Sequence, residues 1–336
     1  MVLAGPLDAL VTRRARIVRL TGRRLAFGVP LVLVVSLATF GLAAASPFDP
    51  LDAYLGGVGD GYTEAERAAL KHTLGLDQSW FASWWHWLAN AVTGDLGYSR
   101  AYHAPVLQVL GDRLGWTALL GLAGSVVAVV LAGVLGAVAG LRPGGLADRA
   151  ISALAVVLQA VPPFVIALGS VLLFAVTLRL FPASGLTDPG AAITAGSAAR
   201  HLVLPALALG LSQVPWLVLG LREAITRAAG SDAVRGAQAR GLPRRIVDLR
   251  HILPLSVTPF FALIGGRLPE LLVGATVVET VFAWPGLGDA TVNSARALDF
   301  PLLAIVTVLT VALVLLGNLA ADAAAVAVDP RIEADG

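Results

Sequence analysis

Six stretches of this 336-residue sequence are apolar for most of their length: residues 25–45, 115–141, 151–178, 202–221, 253–282 and 302–328. A bilayer's hydrocarbon core is crossed by about 20 consecutive apolar residues in a helix. Lipid offers no hydrogen bonds to a bare backbone, so such runs must satisfy their own N–H and C=O groups, which a helix does. The composition agrees, with 57% hydrophobic and 14% charged residues and a mean hydropathy of +0.80; a soluble domain carries roughly 25% charged residues. The expectation is an all-α membrane protein of about six transmembrane helices, with the lipid bilayer as its solvent.

The segments between the runs divide the chain. Residues 1–24 form a basic N-terminal segment with Arg13, Arg14, Arg16, Arg19, Arg23 and Arg24. Residues 25–45 form the first helix. The Ala43-Ala44-Ala45 end resembles a signal-peptide cleavage site, but the run is longer than an ordinary signal h-region, so it reads as an uncleaved span. A polar loop, 46–114, carries Asp49, Asp52, Asp60, Glu64, Glu66, Asp77 and Asp95 and a cluster of Trp80, Trp84, Trp85 and Trp87. Tryptophan prefers the headgroup level, so that cluster predicts a short helix on the membrane surface; an aromatic cage for a ligand is the alternative. Residues 115–328 form a core of helices 2–6, interrupted by a long loop at 222–254, and 329–336 form a tail.

Arginine placement sets the orientation. With the N-terminus cytoplasmic, sixteen of the 24 basic residues lie in inside segments, seven outside, and Arg267 lies within a span. That bias predicts both termini inside.

Several chemistries lack their residues. Cysteine is absent and Lys71 is the sole lysine, with no phosphate-binding glycine loop around it. The five histidines show no metal-ligand spacing. Neither a Gly-x-Ser-x-Gly elbow nor a His-Glu-x-x-His pair occurs. Nothing supports an enzyme, a metal site or a nucleotide site on this chain, and no nucleic-acid partner is expected.

The loop 222–254 is far longer than a span connector needs. It predicts one helix over roughly 232–240, ended by Gly241, and a second opening at Pro243 with Ile246 and Leu249 on one face. Such a helix–Gly–helix elbow can present a knob to a partner. It can also be a solvated basic loop and nothing more.

The elbow's residues carry a resemblance. Arg235-Gly236-Ala237-Gln238-Ala239-Arg240-Gly241, then nine residues, then His251-Ile252-Leu253-Pro254 resembles the EAA loop of bacterial ABC-importer permeases. That loop reads Glu-Ala-Ala, three residues, Gly, nine residues, Ile-x-Leu-Pro. Ala237, Gly241, Leu253 and Pro254 are in register; Arg235 replaces the acid and His251 the first Ile. Those departures are similar to the dipeptide/oligopeptide/nickel branch of the family. Gly94-Asp95-Leu96-Gly97-Tyr98-Ser99, Phe181-Pro182-Ala183-Ser184-Gly185, His201-Leu202-Val203-Leu204-Pro205-Ala206-Leu207, the stretch from Val278-Glu279 to Leu287-Gly288 and Asp329-Pro330-Arg331 resemble further family segments in order. The long first loop resembles that of the first of the two permeases in such systems.

The resemblance implies a type I ABC-importer permease fold, one half of a translocation pathway for peptides or similar small solutes, in the bacterial cytoplasmic membrane. It implies a second permease, in a heterodimer, two ATP-binding subunits that hold ATP and Mg, and an extracytoplasmic substrate-binding protein. No cofactor is expected on this chain. Carried over by position, Ala237 and Gly241 allow close backbone approach at the ATPase contact. Arg235, Arg240, Arg244 and Arg245 either meet acidic groups there or serve as inside-facing positive charge.

Two other sets stand out. Arg267 and Glu270 share a helix face inside the fifth run, where an arginine costs about 2.5–3.5 kcal/mol on insertion scales. Either they neutralise each other and fix packing, or they line the translocation path and meet a charged solute. The family more often has Gln-Leu-Gly where this chain has Arg267-Leu268-Pro269. For Glu279, Trp284, Pro285 and Gly286 the family resemblance implies an outer loop near the binding-protein dock; the residues alone read as a turn anchored at the interface by Trp284. A stand-alone secondary transporter or channel is the competing class; it calls for inverted repeats and matched broken helices and leaves the 237–254 pattern unexplained.

Overall fold

The computed structural model describes residues 6–47, 49, 51, 52, 55, 62–73 and 76–328. The tail 329–336 and Asp60 lie outside the described residues. The described residues are helical almost throughout, and their contacts divide them into two compact units. One is built from 118–284 together with 6–22 and 316–328; the other comprises the described residues of 23–117 with 285–315.

The second unit begins in helix α1 (Pro6–Ala44), whose membrane-crossing part is Ala26–Ala44. Short helix α2 (Glu64–Thr73) follows, then α3 (Trp80–Val92), N-capped by Ser79. Helix α3 contains the tryptophan cluster, and its periodicity divides the four rings. Trp84 and Trp87 are buried against Phe40 and Ala304, while Trp80 and Trp85 are 44% and 57% exposed. The Trp84 indole donates to Ser36 Oγ at 3.1 Å. One face of the helix is therefore core rather than membrane surface, and two of the rings remain for the headgroup level.

After α3 the chain turns sharply. Gly94 and Gly97 have φ of +93° and +84°, and Asp95 Oδ1 accepts the Gly97 N–H at 2.9 Å. A two-residue hairpin follows: β1 (Tyr98–Ser99) pairs antiparallel with β2 (Ala104–Pro105), Tyr98 opposite Pro105 and Ser99 opposite Ala104. Ser99 Oγ donates to Asp299 Oδ2 at 2.5 Å and the Ala101 N–H to the same oxygen at 3.1 Å. Helix α4 (Val106–Leu141) starts directly after the hairpin, earlier than residue 115. Its first turns pack Val106, Val109 and Leu110 on Leu287, Leu302 and Val306, so residues that read as loop are core. Arg113 pairs with Asp289 at 2.8 Å and lies over the Tyr102 ring. Asp289 belongs to helix α12 (Leu287–Arg296), and Leu302 and Val306 to the last helix, α13 (Phe300–Val328).

The first unit holds α5 (Leu146–Gln159), α6 (Pro163–Ser170) continuing as a π-helical turn over Val171–Thr177, α7 (Ala195–Ala229), α8 (Asp232–Ala239), α9 (Arg244–Val247) with a π-helical turn over Asp248–Ile252, α10 (Leu253–Gly266) and α11 (Leu268–Val281). Helix α7 is the hub: 61% of its apolar window is buried against 17–28% for the other four long spans, and α5, α6, α10 and α11 all pack on it. Helix α4 approaches it closely. A Cβ on Gly124 would lie 2.8 Å from Leu209, and one on Gly210 would lie 2.6 Å from Val127, a small-residue contact of the kind that holds membrane helices together. A capping box of Thr194 and Ser197 fixes where α7 starts.

Five helices are long and apolar enough to cross a membrane. A further apolar pair, α5 and α6, is bent by 103° at residues 160–162, and makes six crossings if it counts as one broken span. Pro162 and Pro163 lack N–H donors, and Pro162 sits in extended backbone (ψ 145°), which a helix cannot continue through. The run 253–282 is likewise two helices, α10 and α11, meeting at Arg267; Pro269 at the second turn position supplies no N–H to extend the first ladder.

Candidate functional site

The elbow forms as its residues dictate. Ser231 accepts the Val234 N–H and caps α8. At the other end Gly241 takes φ +73°, and its N–H reaches Gln238 O at 2.9 Å while the Leu242 N–H reaches Ala237 O at 3.4 Å. Those two bonds make a Schellman stop. A Cβ on Gly241 would meet nothing within 4 Å, so within this chain the glycine is required by its left-handed backbone and not by crowding. The second piece starts after Pro243, which is the N-cap of α9.

Burial separates two faces. Val234 and Ala237 are fully buried and join Val247 and Ile252 in a core that continues through Ile225, Leu221 and Phe260 into the spans. Ala237 therefore faces its own bundle and not an outward contact. Ile246 and Leu249 are 37% and 53% exposed, and Val247 and Ile252 take the buried places instead. Leu253 is half-buried against the same core, and Pro254 stands in the first turn of α10. Gly236, Gln238, Ala239, Arg240 and Gly241 are exposed.

The arginines also divide. Arg235 pairs with Asp232. Arg244 Nη2 donates to Leu141 O, the last carbonyl of α4, at 3.0 Å, a favourable place for a cation; its Nε lies 3.8 Å from Asp248. Arg240 and Arg245 are exposed and, among the described residues, have no ion-pair partner. A cleft of about 450 Å³ lies between the end of α4 and the elbow, lined in part by Leu141, Ile225, Gln238 and Arg244.

Beside the elbow lies a buried ion pair. Asp148 in α5, 3% exposed, takes both Arg222 Nε and Arg222 Nη2 (the latter at 2.8 Å), the Gly144 N–H at 2.7 Å and Ser152 Oγ at 3.2 Å. It ties the loop after α4 to the α7 segment that leads into the elbow. Arg222 is 74 residues away in sequence, so no local spacing announces the pair.

In the middle of the stretch 253–281, Arg267 caps α10 and opens α11 with φ −93° and ψ −1°. Its guanidinium lies 4.8 Å over the Trp216 ring of α7. Its Nη1 is 3.6 Å from Glu270 Oε1, beyond a hydrogen bond. Nε is buried without a partner, and so is Oε1 of Gln213, one turn from Trp216. The structure thus brings together Arg267 and Glu270, as their spacing predicts, and adds Trp216 of α7, which no local spacing links to them.

The stretch 279–286 contains the turn between α11 and α12, and Glu279 and Trp284 in it are packed inside the chain. Glu279 and Trp284 are fully buried, the Trp284 N–H donates to Glu279 O at 2.8 Å, and Phe282 O accepts the Gly185 N–H at 2.8 Å. Gly286 is buried as the N-cap of α12 and its carbonyl accepts from Arg113. Pro285 is half-buried between them. Neither Glu279 nor Trp284 is accessible to a partner, and Trp284 is not an interfacial anchor. The turn buries the two aromatic residues that follow the end of α11, Phe282 and Trp284.

Comparison with known proteins agrees with this geometry. Residues 132–334 match the family described as binding-protein-dependent transport system inner membrane component, and residues 17–121 match its N-terminal companion. The oligopeptide transport system permease protein AppB of Bacillus subtilis is 30% identical, with 93% of this chain and 98% of that protein covered. The oligopeptide transport system permease protein OppB of Mycobacterium tuberculosis (strain H37Rv) is 33% identical, with 94% and 98% covered. A chain of the MetNI methionine ABC transporter, in inward facing conformations, is similar in fold at 18% identity with a TM-score of 0.53, covering 66% of this chain and 97% of that one. The chain belongs to the binding-protein-dependent transport system inner membrane component family, as a membrane-spanning permease subunit of an ATP-driven importer that works with ATPase subunits and a second permease.

Proposed function

We propose that this permease forms half of the translocation pathway of a peptide importer, and that the elbow within 222–254 transmits ATPase motion to its spans. The observation that carries the reading is the continuous apolar core from Val234 and Ala237 through Ile225 and Leu221 to Phe260. A displacement of α8 cannot be absorbed locally, because close-packed interiors transmit strain. It reaches α7 and α10 directly. The relatives named for oligopeptide transport support peptides as the solute class.

The exposed face of α8 and the turn after it, with Gly236, Ala239, Arg240, Gly241 and Arg245, offers itself to an ATPase cleft. Arg240 and Arg245 meet acidic groups there, since Arg235 and Arg244 are engaged within the chain. ATP and Mg belong to the two ATPase subunits. The second permease is a different chain, the solute arrives from an extracytoplasmic binding protein, and both termini lie on the cytoplasmic side of the cytoplasmic membrane, as the arginine bias indicates.

The test is Gly241→Val in the assembled importer, reconstituted in proteoliposomes with its binding protein. A β-branched residue is an outlier at φ +73°. Peptide uptake should fall by about tenfold or more (about 1.4 kcal/mol) while the chain still inserts and ATP hydrolysis continues. Uptake and hydrolysis both at wild-type rates would argue against the coupling role.

A further inference from the structure

The Arg267 site holds more capacity than the chain itself uses. Among the described residues, none accepts a hydrogen bond from the Arg267 side chain. An arginine carries five donors in a planar fork that matches a carboxylate edge-on. Here the plane is held against Trp216 at 4.8 Å, and the side chain is 20% exposed. Glu270, at 3.6 Å and 51% exposed, is close enough to offset the charge but too far to occupy the fork. Trp216 is 45% exposed on the same face. Two charges at the middle of an apolar stretch do not face lipid, so this face lines a wet path or a protein neighbour.

We propose that the outward edge of Arg267, shelved on Trp216, is a transient binding site for the carboxylate of the translocated solute, and that it makes the pathway favour solutes with a free carboxylate. The inference rests on the peptide-importer reading above, since it requires this face to line the pathway. The chemistry follows from the geometry. A carboxylate reaching the fork gains charge-assisted bonds that Glu270 does not make. The bonds are not so strong as to trap it, because Glu270 stands ready to take the guanidinium back. Passage through a pathway needs a site of that kind, favourable enough to enter and weak enough to leave. A fully bidentate Arg267–Glu270 pair would leave no fork to offer.

The experiment compares uptake of one peptide with a free C-terminus and the same peptide amidated, by the complete importer in proteoliposomes with one binding protein throughout. Because the binding protein is constant, a change in the ratio of the two rates between variants reports on the permease. Arg267→Gln should lower uptake of the free peptide about tenfold and leave the amidated one within twofold, flattening the ratio. Arg267→Lys keeps the charge without the fork and should recover part of it. Trp216→Ala, which removes the shelf and keeps the arginine, should lower the ratio by about threefold. Basal ATP hydrolysis and the yield of assembled complex show that each variant is folded, and the amidated peptide serves as an internal control. Uptake of both peptides at a ratio indifferent to Arg267→Gln and Trp216→Ala would overturn this inference alone, and would assign Arg267 to packing or to the second permease. Failure of the wild-type importer to take up either peptide would remove the peptide reading and this inference with it.

Discussion

The elbow at Gly241 and the hinge at Arg267 both interrupt a helix, and they do so by opposite means. At Gly241 the backbone turns left-handed, φ +73°, and the helix is closed by a Schellman stop. At Arg267 the backbone stays right-handed, φ −93°, and the break comes from the missing donor of Pro269. The elbow tolerates only glycine at its turn but leaves its charges exposed or locally paired. The hinge tolerates any residue in its backbone, yet it holds an arginine whose donors find no acceptor. One break is specified by conformation and the other by chemistry.

The largest effect should come from the ion pair at the elbow's root. Asp148→Ala leaves Arg222 partly buried beside an empty site, and loss of one partner of a buried pair costs about 3–5 kcal/mol; as Arg222 is 30% exposed, the lower end is expected. The melting temperature of the purified complex would report it, and an unchanged value would mean that the elbow does not depend on this tie. Next, Gly241→Ala should cost about 1–2 kcal/mol from the left-handed strain. Arg267→Ala should stay within about 1 kcal/mol, because it loses a cation–π contact worth about 0.5–2 kcal/mol and a loose ion pair with half-exposed Glu270 while relieving an unpartnered donor. Equal losses at the two sites would erase the distinction between conformation and chemistry.

A third comparison lies within the elbow. Arg240→Glu with Arg245→Glu should weaken association with the ATPase by at least about tenfold, or 1.4 kcal/mol, measured by co-purification against salt. Arg244→Ala, whose partner is the Leu141 carbonyl, should change association by less than about threefold. The reverse order would mean that the exposed arginines serve only the positive-inside bias.

The smallest effect concerns charges outside the membrane-spanning segments. Burial pushes the Asp49 carboxyl up, but the Lys71 ammonium, the Leu51 N–H and Arg67 outweigh it and hold the group below the usual carboxylate range. A lowered folded pKa means stability that is present above the ordinary aspartate pKa of about 3.9 and lost as pH falls through the folded value. Below pH 4, α2 should exchange its amide hydrogens faster, by an amount within the 0–1 kcal/mol of exposed pairs. Protection unaffected by pH or by Asp49→Asn would show that the pair holds nothing in place.

The resemblance of Gly94 to Ser99 to a family segment acquires a physical account in these terms. The two glycines take positive φ, Asp95 closes the turn, and Ser99 reaches Asp299, two hundred residues on. The turn chemistry was legible because it is local. The Ser99 partner was not, since nothing near Ser99 in sequence points to Asp299. The same division explains the tryptophans of α3. Their spacing showed an amphipathic helix, but which face was core depended on Phe40 and Ala304.

Composition and apolar length determined by themselves that this chain lives in a bilayer as helices, because hydrocarbon forces each segment to satisfy its own backbone. Proline, glycine and capping residues determined where helices stop, since those signals act within one turn. Tertiary structure alone decided that α5 and α6 stand at 103° to one another, that Ala237, Glu279 and Trp284 face inward, that Asp148 holds Arg222, and that Arg267 lies on Trp216. Each of these depends on which helix faces which. That is fixed by side-chain packing between segments far apart in the chain, where no periodicity reaches.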